Sequence, residues 1–511
     1  MLARATAATP WGIEARPVDV EVDVQNGLPQ MQIVGLPDTA VRESRERVRA
    51  AIRNCGFPLP PRSVVINLAP ADIRKAGNHL DLAIALGLLT AFDQLPSECL
   101  EGRLFCGELG LDGGLRPIRG GLAIADLGRS LDARELILPV ENAGEAAALD
   151  ALPVVGVDSL AQTLEHLLNV NRLKPITGGN GFSSMGPPID GSVLDISEVR
   201  GQETAKRCLE IAAAGGHNLL FLGPPGSGKT MLARCLPGLL PPLSRIEATE
   251  LTKIISLVSD RPPSGLVSRR PFRSPHTGTS TAAMIGGGTI PKPGEVSLAH
   301  TGVLFLDELP EFGRDALEAL RQPLEEGTVT VVRMRARLSF PARFALLAAM
   351  NPCPCGHHGD RRNDCYCTPL QIDNYRRRVS GPLLDRIDLH VEVPAVELKD
   401  LRSPGGETSE TVAARVVEAR RRQRQRLESG LAVPCNAAMR NAELRRHCAL
   451  SASAQKLLDD AFEKLGLSAR ALTRLLKVAR TIVDLSGGDE IGPAHIAEAI
   501  QYRSLDRRLC S

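Results

Sequence analysis

The sequence predicts an α/β protein in three parts, with a mixed α/β domain over 1–170, a parallel-sheet α/β domain over 195–395 and a helical domain over 396–511. Three observations predict it. Strand-like runs alternate with helical stretches through the first third of the chain. The alternation resumes after a linker over 171–194, marked by the stretch Ile176 to Val193, which is dense in Gly, Ser and Pro. Beyond Val396 the periodicity becomes helical throughout.

Taken in order, Val18 to Val24, Gln32 to Val34 and Ser63 to Leu68 read as strands, and Thr39 to Asn54 and Leu80 to Phe92 as helices. From Val199 to about Pro394, strands and helices alternate as in a parallel sheet covered by helices. Ser409 to Glu428, Ser453 to Leu465, Ala469 to Leu485 and Pro493 to Tyr502 then read as helices.

Composition narrows the class. The chain has 511 residues, 61 Lys+Arg against 59 Asp+Glu, 43% hydrophobic and 3% aromatic residues, and twelve Cys. At roughly 150 residues per domain this allows two to four domains. No apolar run reaches the ~18 residues of a membrane helix, and Met1 to Trp11 lacks the apolar stretch of a signal peptide. A cytoplasmic location without membrane contact is therefore expected, with cysteines as thiols or metal ligands rather than disulfides. The net charge of +2 excludes a strongly basic whole-chain footprint. With so few aromatics, Arg contacts to phosphate are the more available mode of nucleic-acid binding than base stacking.

The strongest motif comprises Gly223, Pro224, Pro225, Gly226, Ser227, Gly228, Lys229 and Thr230. It follows the apolar run Asn218 to Leu222 and opens a helix-compatible run from Met231 to Leu236. That is the strand–loop–helix context of a phosphate-binding loop, where glycines let backbone N–H groups turn toward phosphate and the helix amino end favours the anion. Lys229 would hold the β- and γ-phosphates of a nucleoside triphosphate, and Thr230 a Mg²⁺ ion. A buried run from Val303 to Leu306 ends in Asp307 and Glu308. Asp307 would share the Mg²⁺ and Glu308 would polarise the attacking water, which favours hydrolysis over binding alone. A third strand, Phe344 to Met350, ends at Asn351, either a holder of that water or an Asn closing a strand before Pro352.

These segments resemble Walker A, Walker B and sensor 1 of AAA+ ATPases. Five further stretches resemble the magnesium-chelatase-like branch, and within it the ComM/YifB family of bacterial competence-related proteins. They are Gly35-Leu-Pro-Asp38, Val199-Arg-Gly-Gln202, Arg273-Ser-Pro-His276, Asn351-Pro-Cys-Pro-Cys-Gly356 and Ser380-Gly-Pro-Leu-Leu-Asp-Arg-Ile-Asp388. The resemblance covers nearly the whole chain, with the motifs in the family's order. It implies an AAA+ core with a helical lid, Arg386 as an arginine finger acting on a neighbouring subunit, Arg470 as sensor 2, and a ring, in relatives a hexamer. Surface ion pairs are the alternative for both arginines.

Glu326 to Arg343 reads as a hairpin carrying Arg333, Arg335 and Arg337, at the place of the branch's pre-sensor hairpin. Pro271 to Ala299 matches its helix-2 insertion. In relatives such loops line the central pore, and arginines there suit single-stranded or branched DNA; a solvated hairpin is the alternative. Cys353, Cys355, Cys365 and Cys367 form two Cys-x-Cys pairs nine residues apart, either a structural Zn²⁺ site or free thiols.

The amino-terminal domain resembles the Lon-protease-like fold. His79 stands at the position of its nucleophilic Ser and Ala123 at that of its Lys, so peptidase activity is not expected and the domain is read as catalytically inactive. The resemblance implies a DNA motor, a branch-migration helicase in recombination during natural transformation. A protein-remodelling or chelatase-type ATPase is the alternative.

Overall fold

The computed structural model describes residues 2–73, 75, 77–176, 182–183, 193–259, 261–288, 291–333, 336–359, 363–401, 405–427, 435–465 and 468–503. The expected linker lies largely outside them. The chain forms two compact units. One comprises Met1–Pro187, Ser244–Ser268 and Val332–Phe340, the other Pro188–Leu243, Arg269–Val331 and Pro341–Ser511.

The first unit is built on a seven-stranded mixed sheet in the order Gln30–Val34, Ser63–Ala69, Glu14–Gln25, Leu2–Trp11, Arg103–Phe105, Glu135–Pro139 and Val154–Val157. The strand Leu2–Trp11, in the middle of the sheet, is not evident from sequence because its inward residues are small: Ala3, Ala5 and Ala7 are all buried. Those small side chains leave room for the helix Asp81–Ala91, whose eleven residues are all buried. Gly87 of this helix lies so close to the sheet that a Cβ there would sit 2.9 Å from a Val22 methyl. The helix Thr39–Asn54 begins where sequence places it, with the Asp38 carboxylate accepting from the Val41 N–H.

The second unit contains a five-stranded sheet in the order Phe272–Arg273, Val303–Leu306, Ala345–Met350, Leu219–Leu222 and Leu389–Glu392. Every pairing is parallel. Continuous runs such as Leu-Leu-Phe-Leu and Val-Leu-Phe-Leu are what strands covered on both faces require. Helices Glu203–Gly215, Ser409–Arg426 and Ala469–Ser486 share the core of this sheet through Leu209, Ala212, Val416, Val478 and Ile482. The carboxyl-terminal helices are Ser409–Arg426, Asn441–His447, Ala452–Leu465, Ala469–Ser486 and Pro493–Gln501, so the expected helical region is present. Thr408 and Ser468 cap two of them through side-chain oxygens. Among the described residues no helix is long and apolar enough to cross a membrane.

Candidate nucleotide-binding site

Parallel sheets place ligands beyond the carboxyl ends of their strands. Three neighbouring strands deliver chemistry there. Leu219–Leu222 leads into the loop 223–228, and the helix Lys229–Leu239 follows at once. Gly223 is forced by a close approach, since a Cβ there would stand 2.1 Å from the Val393 carbonyl oxygen. Gly226 and Gly228 take left-handed backbone angles, φ +74° and +92°, with open space beyond them.

Lys229 is buried, and its Nζ donates to the carbonyls of Gly223 (2.7 Å) and Pro224 (2.8 Å) and to Asn351 Oδ1 (3.2 Å). Burial pulls its ammonium below the usual lysine range, against the raising influence of Asp307 and Glu308. The Thr230 hydroxyl donates to Asp307 Oδ2 at 2.9 Å, and the Glu308 N–H donates to Asp307 Oδ1 at 3.0 Å. Glu308 is exposed and held at φ +53°, a sparsely populated conformation for a residue with a side chain. The structure thus brings Lys229, Asn351, Thr230, Asp307 and Glu308 into one cluster.

These residues fit a nucleoside triphosphate with Mg²⁺. The buried Ser227 hydroxyl has no hydrogen-bond partner among the described residues, so the loop holds a polar group in reserve. Thr230 and Asp307 already face one another as an oxygen pair for a hard cation. Beside the loop lies a cavity of about 400 Å³, lined by Val199, Arg200, Met231, Ala395 and Val396, by His357 and Asn363, and by loop residues 224–228.

Sequence reasoning gave Val199–Gln202 and the His357 segment no part in this pocket. Gly201 and Gln202 both adopt positive φ, and Gln202 Nε2 donates to the Pro394 carbonyl at 2.6 Å, drawing two pocket walls together. A paired left-handed turn before a helix is suggested by the Gly at 201, but the partner at 394 is not.

Among the described residues, no hydrogen bond or ion pair joins Arg386 or Arg470 to the cluster. Arg386 is buried and ion-paired with Glu325 of its own chain. Arg470 is exposed in the first turn of Ala469–Ser486. The expected hairpin is present as strands Thr328–Arg333 and Ala336–Pro341. Arg333 ends the outgoing strand, Arg337 is exposed on the returning one, and Arg335 lies outside the described residues.

The four cysteine sulfurs of Cys353, Cys355, Cys365 and Cys367 lie within 4.8 Å of one another, close enough to share one metal ion. In the first unit, His79 is buried, with burial pushing its imidazole down to about 4 and Nε2 without a hydrogen-bond partner among the described residues. Ala123 is buried in the helix Gly121–Ser130.

Known proteins decide the family. The profile described as "Magnesium chelatase, subunit ChlI" matches residues 195–401, "Subunit ChlI of Mg-chelatase" matches 20–142, and "Magnesium chelatase, subunit ChlI C-terminal" matches 406–503. The chain is 45% identical to the uncharacterized protein YifB of Salmonella typhimurium, over 98% of this chain and 96% of that protein. It is also 45% identical to the competence protein ComM of Haemophilus influenzae, again over 98% and 96%. The chain belongs to the ComM/YifB family. This is a magnesium-chelatase-like family of AAA+ type, as the parallel sheet, the phosphate loop and the carboxyl-terminal helices require. The 45% identity to YifB of Escherichia coli, over 98% and 96%, is of the same order.

Proposed function

We propose that the chain hydrolyses ATP to drive a motor on DNA, working in the cytoplasm as a homo-hexameric ring. The motor is a helicase that promotes branch migration during recombination of incoming DNA. The observation that carries the ATPase part is that Lys229 bonds Asn351 while the adjacent Thr230 bonds Asp307, with Glu308 next to Asp307. The competence name of a relative 45% identical over nearly the whole chain supports the DNA context.

Bound ATP with Mg²⁺ supplies the phosphoanhydride whose cleavage drives the motor. Lys229 gives up the Gly223 and Pro224 carbonyls for phosphate oxygens, and the free Ser227 hydroxyl accepts a partner. Thr230 and Asp307 would hold the Mg²⁺, which would neutralise charge on the phosphates. Glu308 takes a proton from the attacking water at its carboxylate, while Asn351 orients that water. Arg386 of one subunit completes the site of the next by parting from Glu325, and Arg470 contributes from the lid. Arg333, Arg335 and Arg337 track the DNA backbone, a contact that is permanent in charge and independent of base sequence. With His79 and Ala123 where Lon-type proteases carry Ser and Lys, the amino-terminal domain serves binding or ring assembly rather than peptide hydrolysis. The four cysteines hold a structural Zn²⁺.

ATP hydrolysis by the full chain, alone and with single-stranded, duplex and four-way DNA, tests this reading. Hydrolysis should rise with DNA and fall by roughly 10²-fold or more in Glu308→Gln. An intact ATPase indifferent to every DNA would sink the helicase reading and favour a protein partner.

A further inference from the structure

The cysteine-bearing segment runs from Cys353, two residues after Asn351, to Cys367, just before the helix Pro369–Arg376. Its described part forms turns without regular secondary structure, and Tyr366 within it is 86% exposed. Such a segment has little apolar burial of its own to offset the entropy of ordering it. Its sulfurs supply another constraint. Cys353 and Cys355 Sγ are 3.4 Å apart, and each is 3.7 Å from Cys365 Sγ. A tetrahedral ion with 2.3 Å bonds to sulfur sets neighbouring sulfurs about 3.8 Å apart, whereas a disulfide would bring two of them to about 2.05 Å. The His358 N–H donates to Cys353 Sγ at 3.3 Å, which fixes the direction in which that sulfur is presented.

The same segment meets the nucleotide pocket at two places. Gly356, between the cysteine pairs, has φ +85°, and a Cβ there would fall 2.5 Å from Cδ and 2.8 Å from Cγ of Pro225 in the phosphate loop. The backbone of the segment therefore rests on the loop with no room for a side chain. The next residue, His357, lines the 400 Å³ cavity, as does Asn363. The rest of that lining offers apolar surface from Val199, Met231 and Val396, the kind of face a purine base covers.

We propose that the four cysteines hold a zinc ion that fixes one wall of the nucleotide pocket, so that nucleotide affinity depends on occupancy of the metal site. His357 and Asn363 are nucleotide contacts presented by that wall. This rests on the reading of the pocket as an ATP site. Metal loss releases the wall and weakens binding before any chemistry occurs.

The test uses the full chain, with metal content measured by plasma mass spectrometry and affinity by titration with a fluorescent ADP. Purified protein should carry about one zinc per chain. Stripping the metal with a chelator, or Cys365→Ser, should weaken the ADP analogue about tenfold or more, and adding Zn²⁺ back to stripped protein should restore it. His357→Ala guards against variants that fail to fold: it should keep its zinc and melting temperature yet bind the nucleotide several-fold more weakly. Zinc present but affinity unchanged on stripping would overturn the coupling and leave a metal that only supports the loop. Absence of zinc with four freely titrating thiols would overturn the site itself. Zinc-loaded protein that binds no nucleotide would overturn the ATP reading, and this inference with it.

Discussion

Replacing Asp484 by Ala should cost the second unit several kcal/mol, because one carboxylate there satisfies two buried guanidinium groups. Asp484 lies in Ala469–Ser486 with its side chain wholly buried. It accepts from Arg426 Nη1 and Nη2, both at 2.8 Å, from Arg480 Nε and Nη2 at 3.2 and 3.0 Å, and from Asn436 Nδ2 at 2.8 Å. The Arg480 and Arg426 side chains are only 7% and 16% exposed, so water cannot replace the lost partner fully. Removing one side of a buried pair costs about 3–5 kcal/mol, chiefly because the remaining charge stays buried. At about 2–4 °C per kcal/mol for a unit of a few hundred residues, the melting transition should fall by about 6–20 °C. Calorimetry of wild type, Asp484→Ala and Asp484→Asn measures this, with Asp459→Ala on the exposed face of Ala452–Leu465 as control. The amide keeps the shape and some acceptor capacity, so Asp484→Asn should fall between the other two. A shift in Asp484→Ala no larger than in the control would refute the reasoning, since the arginines would then be shown to find water or other acceptors.

The same region gives an acid dependence. Burial raises the Asp388 carboxyl, but His217, Arg474 and Lys477 outweigh it and hold the group at about 2, below its unfolded value of 3.8. A depressed carboxyl stabilises the fold above the unfolded value and loses that contribution as pH falls through the folded one. About 2 kcal/mol should therefore disappear between about pH 4 and pH 2, and urea midpoints of Asp388→Asn should lack this fall. Gly223→Ala, whose Cβ would meet the Val393 carbonyl at 2.1 Å, should cost about 1–3 kcal/mol of stability by overpacking. Gly313→Ala, with nothing within 4 Å of the added carbon, should leave the melting temperature unchanged.

Where the sequence was informative, the signal was local. The phosphate loop is a run of consecutive residues whose strand and helix flank it directly, so Gly223 to Thr230 could be read without knowing the fold. Asp307 and Asn351 were legible because each ends an apolar run, and parallel strands bring such ends to one edge. The helices Ala469–Ser486 and Ser409–Arg426 carried their own periodicity and their own Ser or Thr caps. By contrast, Leu2–Trp11 buries alanines, whose contribution to a hydrophobic pattern is slight, and so a central strand left little trace. The segment Arg245–Val258 gave no sign of its packing partner either. It is tied to the amino-terminal residues by Lys253 to Asp126 (2.6 Å) and by the Gly120 N–H donating to Ser256 Oγ (3.0 Å). Those contacts span more than a hundred positions, and no local propensity encodes them.

The pocket wall shows why a motif's residue types can be read while its role cannot. The cysteine spacing offered a metal-ligand set or free thiols, because thiol chemistry is a property of the side chains themselves. Nothing in that spacing announced the neighbouring phosphate loop, since the contact depends on Gly356 lacking a side chain and on Pro225 presenting its ring there. Likewise Arg386 is a cation by composition, yet its ion-pair partner Glu325 stands 61 positions earlier. In both cases the surroundings of the residue depend on a second residue that only the fold selects. A substitution at Glu325 would for that reason change the surroundings of Arg386 while leaving every recognisable motif intact.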